Sequence, residues 1–116
     1  MDTVSVIVPT YNNHQTLQET LDSILQQDYR PLEVIIVDDA SDDESFAFAT
    51  AYSQQNPQPH ISFIVQQNPS NMGAGVTRNK ALELATGRYI AFLDADDLWK
   101  PNKLTMQINA LKSSGR

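Results

Sequence analysis

Residues 32–39 read Leu-Glu-Val-Ile-Ile-Val-Asp-Asp, with four β-branched residues in a row between a proline and a pair of acids. The run is shorter than a typical helix and lies between breakers, so it predicts a strand buried on both faces. The pattern recurs at Val4–Val8, where Pro9 is expected to end the strand, at Ile61–Val65, and at Tyr89–Leu93. Between these runs the apolar period changes from continuous to helical. Leu17, Leu21, Ile24 and Leu25 form one stripe, with Thr16 as its expected cap. Phe46, Ala49 and Tyr52 form a second, with Ser41 as cap and acids in the first turn. A third helix is expected over roughly Val76 to Ala85, stopped by Gly87. A fourth starts at Pro101 and carries Leu104, Ile108 and Leu111 inward. The order β-α-β-α-β-α-β-α predicts an α/β fold, an open, mainly parallel sheet flanked by helices on both faces.

At 116 residues the chain suffices for one domain with a real core and is too short for two, so residues 1–116 are expected to be a single domain. Net charge is -6, and the eight Lys and Arg residues are scattered without a run. Nucleic acid, which is held by clustered basic side chains, is therefore not expected as a partner. The absence of cysteine excludes disulfides, zinc-thiolate sites and thiol nucleophiles. It fits a reducing compartment, and a cytoplasmic location is expected. The first residues, MDTVSVIVPTYNN, carry an acid at position 2 and only a five-residue apolar run, unlike a secretory signal. No stretch approaches the ~18 apolar residues of a spanning helix.

In parallel sheets ligands bind beyond the carboxyl ends of the strands, and the polar segments of this chain fall there. Asp94 and Asp96 form D-x-D after the fourth strand. Alternation in extended chain sends residues i and i+2 to the same side, so both carboxylates can approach one point. Such oxygen ligands suit Mg²⁺ or Mn²⁺ bridging to a diphosphate; the bland alternative is an acidic turn in which Asp97 caps the last helix. Asp38 and Asp39 after the second strand could accept hydrogen bonds from a ligand, or could cap a helix together with Ser41 and Asp42. After the first strand come Pro9, Thr10 and Tyr11, where the tyrosine could stack on a base, although packing under its loop is the commoner fate of such a residue. Gly73-Ala74-Gly75-Val76-Thr77-Arg78 imitates a dinucleotide fingerprint but carries Arg at its sixth position and follows the third strand rather than the first. Backbone N–H groups and Arg78 would still make an anion-friendly corner there, unless Arg78 pairs with an acid.

Four blocks, VSVIVPTYNN, LEVIIVDDASDD, NMGAGVTRNKALELATGRYIAFLDADD and the following WKPNKL, together resemble the family 2 glycosyltransferases of GT-A fold, from Val4 to about Leu111. The resemblance implies the donor-binding, N-terminal part of a longer transferase domain, acting on a nucleoside-diphosphate sugar, by family default a UDP-sugar. It implies that Pro9, Thr10 and Tyr11 line the nucleoside pocket and that Asp39, with Asp38 beside it, contacts the base. Gly73 and Arg78 would lie near the nucleotide and Asp94 on the ribose or sugar side. Asp96 would hold a divalent cation, Mn²⁺ or Mg²⁺, on the diphosphate, and Asp97 receives no role. The general base would lie beyond residue 116, and the acceptor would be a saccharide, a lipid or a protein. A chain cut from such a domain would expose sheet edge and apolar surface and tend to self-associate; a longer parent could be membrane-associated.

Other functions fit this pattern less well. A phosphotransferase would use Asp94 as nucleophile and Asp96 as acid/base, but it leaves PTYNN and DDASDD unexplained. A receiver-like signalling domain would want its acid pair after the first strand, where this chain has PTYNN. A non-catalytic nucleotide-binding module would share the fold and pocket without turnover and is the strongest alternative.

Overall fold

All the strands expected from apolar runs form, and they pair in parallel. In the computed structural model, which describes residues 2–113, the elements run β1 (Val4–Thr10), α1 (Leu17–Leu25), β2 (Leu32–Asp38), α2 (Ser45–Gln55), β3 (Ile61–Gln67), α3 (Ala74–Leu84), β4 (Tyr89–Phe92) and α4 (Lys103–Ser113). The sheet order is β3-β2-β1-β4. The two central strands, β1 and β2, are buried along nearly their whole length. No helix among the described residues is long and apolar enough to cross a membrane.

Strand alternation divides the core in two. Val4, Val6, Val8, Leu32, Val34 and Ile36 face a large apolar cluster completed by Leu17, Leu21 and Ile24 of α1, Ala49 of α2, and Leu104 and Ile108 of α4. Ile7, Ile35 and Val37 face a smaller cluster beneath Ala81 of α3. One helix cannot cover four strands, so β4 is left bare on the α3 side, where Ile90 and Phe92 are 41% and 50% exposed. In register those two lie beside Ser5 and Ile7.

Pro9 does not end β1, contrary to expectation. Thr10 and Pro9 stay in register with Asp38 and Val37. The reason lies in alternation. The Ile7 carbonyl accepts from Leu93 on the β4 side and the Thr10 carbonyl accepts from Asp39 on the β2 side, so Pro9 turns its missing N–H toward β4, whose pairing has stopped at Phe92.

Two helix starts also differ. α2 begins at Ser45, not near Ser41, because the Asp43 carboxylate accepts from the Ser45 N–H and hydroxyl; the acids therefore precede the first turn. α4 begins at Lys103, since Pro101 sits in a turn whose carbonyl accepts from Asp28 N–H. Leu111, expected to face inward, is exposed.

Two polar residues inside strands are explained by the α3–β4 connection. Glu33 accepts from the Ser5 hydroxyl at 2.7 Å and from the Thr86 N–H and hydroxyl at 2.9 and 2.8 Å. Burial pushes its carboxyl upward, but these donors outweigh burial and hold it below the ordinary glutamate range. Gly87 N–H donates to the Ser5 hydroxyl at 2.9 Å, and a Cβ on Gly87 would lie 2.6 Å from Ser5 Oγ and 2.8 Å from the Thr3 carbonyl. Gly87→Ala should therefore destabilise the chain by about 1–3 kcal/mol, read as a lower urea midpoint with an unchanged m-value; an unaltered midpoint would show that the connection relaxes freely.

Candidate functional site

The loops after β1, β2, β3 and β4 enclose a cleft of about 420 Å³ at the carboxyl end of the sheet, a volume typical of small-molecule sites. Pro9, Thr10, Tyr11 and Asn13 form one wall. Asp39, Asn71, Gly73, Ala74, Thr77 and Arg78 form another, and Asp94, Ala95 and Asp96 close it. Of the residues singled out in the sequence, Pro9, Thr10, Tyr11, Asp39, Gly73, Arg78, Asp94 and Asp96 are brought together here. Asn13, Asn71 and Thr77 were missed.

Asp38 is the exception. It is fully buried, does not line the cleft, and has its carboxylate engaged within the fold. It accepts from the Ser41 N–H at 2.8 Å, the Ser41 hydroxyl at 2.5 Å and the Gln67 amide at 3.3 Å. These bonds hold the turn in which Ala40 takes φ 58°, a left-handed conformation that a residue with a Cβ adopts only when its surroundings impose it. Asp38 thus braces the loop in place of the ligand contact expected of it. The braced loop is then stitched to the one after β1: Asn12 N–H donates to Ser41 Oγ and Asp42 N–H donates to Asn12 Oδ1, both at 2.8 Å. Tyr11 is left 44% exposed on the cleft wall, so it is not packed under its loop.

Asp39 anchors the second wall. Its Oδ1 accepts from Asn68 Nδ2 at 2.9 Å and Met72 N–H at 2.8 Å, and its Oδ2 from Gly73 N–H at 3.0 Å. Burial opposes ionisation, but these donors, with Thr77, prevail and hold its carboxyl below the ordinary aspartate value. Asp39 is therefore an ionised acceptor at neutral pH, with lone-pair capacity left on Oδ2. Gly73, at φ 93° and ψ 161°, caps α3 in a conformation reserved for glycine. Ala74, in the first turn of α3 where N–H groups lack intrahelical partners, and Arg78 thus stand on the same wall. Among the described residues Arg78 forms no ion pair.

Opposite stands the acidic turn. Leu93 and Ala95 are buried and Asp94 and Asp96 exposed. Asp97 N–H donates to the Asp94 carbonyl at 3.0 Å, closing a turn that folds Asp97 back. Carboxylate oxygens of all three acids come within 4.8 Å of one another. Asp97 therefore joins the cluster instead of capping α4. Three hard oxygen donors, exposed to water and without a paired cation among the described residues, fit Mg²⁺ or Mn²⁺, which complete their shells with water.

A four-stranded parallel sheet with phosphate-friendly and acidic walls facing each other across its carboxyl end is the arrangement of a nucleotide-binding α/β domain. The chain belongs to glycosyltransferase family 2, whose model matches residues 5–116. It is 44% identical over 105 residues to TuaG, a Bacillus subtilis (strain 168) protein of teichuronic acid biosynthesis, covering 90% of this chain and 40% of that one. It is 37% identical to the Escherichia coli UDP-Glc:alpha-D-GlcNAc-diphosphoundecaprenol beta-1,3-glucosyltransferase WfaP, covering 97% and 43%. The UDP complex of S. aureus TarS superposes with a TM-score of 0.81 at 31% identity, over 96% of this chain and 32% of that one. The Pyrobaculum calidifontis mannosyltransferase PcManGT, solved with GDP-Man and Mn²⁺, gives 0.77 at 36% identity, over 89% and 30%. The chain spans about two fifths of the length of these curated relatives.

Asp39→Asn tests the anchor. Whichever way the amide turns, its nitrogen meets a donor, and stability at pH 7 should fall by about 1–3 kcal/mol. Because the folded-state carboxyl is held low, its contribution is complete above the ordinary aspartate value of 3.8 and is lost as pH falls through the lowered value. The gap between wild type and variant in denaturant titrations should therefore narrow on acidification.

Proposed function

We propose that this chain is the donor-binding part of a metal-dependent glycosyltransferase that takes a sugar from a UDP-sugar, with the general base and acceptor site supplied from outside these residues. The observation that carries the proposal is the pairing, across one cleft, of Asp94 and Asp96, which converge with Asp97, with an arginine that forms no ion pair among the described residues and a helix start. A nucleoside diphosphate joined to a cation presents the complementary charges in the same order. The lengths of the relatives support the division of labour, since this chain accounts for the first loops of the site and two fifths of the relatives' length.

In this proposal Tyr11 stacks on the base, and Asp39 accepts from its ring N–H. An ionised acceptor suits uracil N3–H or guanine N1–H and repels the acceptor edge of adenine. The UDP complex of TarS and the UDP-Glc specificity in the name of WfaP favour uridine. Arg78 and the first turn of α3 neutralise phosphate oxygens, while Asp96, with Asp94 and Asp97, would hold the cation. The cation would supply electrostatic stabilisation of the departing diphosphate. Asp94 has cleft exposure enough to reach the ribose or sugar as well.

Calorimetric titration with UDP, GDP and ADP, each with and without Mn²⁺, provides the test. UDP should bind more tightly when Mn²⁺ is present, and ADP should bind weakly under both conditions. Asp96→Ala should lower the affinity for UDP in Mn²⁺ by about tenfold or more, about 1.4 kcal/mol, and leave metal-free affinity unchanged. Arg78→Gln should weaken both. Equal affinity for all three nucleotides, or metal enhancement that survives Asp96→Ala, would overturn the proposal.

A further inference from the structure

The acidic turn carries no regular structure of its own, and what holds it is a row of polar side chains on α1 and just beyond its two ends. Thr16, Thr20, Ser23 and Gln27 recur at i, i+4, i+7 and i+11, beside the apolar stripe of Leu17, Leu21 and Ile24. Thr20, Ser23 and Gln27 are buried. Thr16 Oγ1 lies 2.8 Å from the Ala95 carbonyl, and Thr20 Oγ1 lies 3.1 Å from the same carbonyl and 2.7 Å from that of Asp97. Each hydroxyl has one proton to donate. The shorter contacts assign the Thr16 proton to Ala95 and the Thr20 proton to Asp97. The carbonyls on either side of Asp96 are thereby both fixed to one helix. Ser23 Oγ accepts from Trp99 N–H at 3.3 Å. Gln27 donates to the Lys100 carbonyl at 2.7 Å and accepts from Leu104 N–H at 3.1 Å.

We infer that Thr16 and Thr20 are positioning residues for the cation site, setting the direction of Asp96 and Asp97 through the peptide group that precedes Asp96 and the one that follows Asp97. The inference rests on the donor-site proposal for what the turn binds, though not for how the turn is held. Ala95 is buried in the core cluster, which fixes the depth of the turn but leaves its rotation about the chain axis free. Hydrogen bonds to the Ala95 and Asp97 carbonyls, which bracket the Asp96–Asp97 segment, remove that rotation. Neither threonine touches the ligand; each acts one shell out, where loss of an orienting partner weakens metal affinity by about 10–100-fold.

The test uses Thr20→Val, which keeps the shape and deletes the proton, Thr20→Ser, which restores it, and Thr16→Val, at a more exposed position that tolerates change if Thr20→Val fails to fold. Three quantities are read: Mn²⁺ affinity by electron paramagnetic resonance, UDP affinity with and without Mn²⁺, and amide hydrogen exchange over residues 93–100. The expected result is about a tenfold loss of Mn²⁺ affinity in Thr20→Val, unchanged metal-free UDP affinity, faster exchange confined to the turn, and recovery in Thr20→Ser. A lower melting temperature with the Mn²⁺ dependence of UDP binding and the exchange of residues 93–100 intact would mean a purely structural role and overturn the inference. If the wild-type chain binds neither Mn²⁺ nor UDP, the donor-site proposal fails by itself. Exchange then decides the positioning, with unchanged rates in both valine variants overturning it.

Discussion

Three carboxylates whose oxygens lie within 4.8 Å of one another repel, and nothing in their own side chains holds them in place. The backbone beneath them has to be fixed from elsewhere, and in this chain α1 does it. The helix presents two adjoining stripes. One is apolar and docks on the sheet; the other is polar and uncharged, buried from Thr20 onward, and it pairs the carbonyls of Ala95, Asp97 and Lys100 and the N–H groups of Trp99 and Leu104. Buried backbone groups must find partners, so a polar stripe at this position is the condition for an irregular turn to sit against the core. Charged side chains in the same row would have brought desolvation that these carbonyls could not offset.

The opposite wall obeys the same rule with different chemistry. A single ionised carboxylate, Asp39, gathers Asn68, Met72 and Gly73, while its neighbour Asp38 closes the preceding turn on Ser41. Adjacent acids that look equivalent in the chain thus divide: the last residue of β2 points into the fold and braces, and the next faces the cleft. In the acidic wall the turn from Asp94 to Asp97 leaves Ala95 buried between exposed Asp94 and Asp96. In each wall a buried residue, Asp38 or Ala95, fixes the loop beside the residues that line the cleft, although Asp39 itself is only 5% exposed.

How much of this was legible follows from where each signal resides. Runs such as Val34–Val37 and the stripe Leu17, Leu21, Ile24 state their environment locally, and the element order with its parallel sheet came from them. The cleft residues at strand ends were legible because topology alone brings carboxyl ends together. The division between Asp38 and Asp39 was not, since it depends on strand register past residue 37. Nor was the persistence of β1 through Pro9, which depends on which side β4 stops pairing. Asp97 was passed over because its place comes from a turn, not from extended chain. The stripe Thr16, Thr20, Ser23, Gln27 did carry a periodic signal, but short polar residues beside an apolar face read as solvent-facing until the loop that covers them is seen.

The distribution of these anchors bears on which functions can be separated. Each loop of the cleft is held by hydrogen bonds among residues 10–104, through α1, Asp38, Asp39 and the stitching of Asn12 to Ser41 and Asp42. None of those bonds involves the bare side of β4, where Ile90 and Phe92 stand exposed. The geometry offered to a nucleotide therefore does not depend on what meets that side of the sheet, whereas any group that must approach from it does. A change at the β4 face should accordingly leave the anchored walls, and the affinity they set for the proposed donor, as they are.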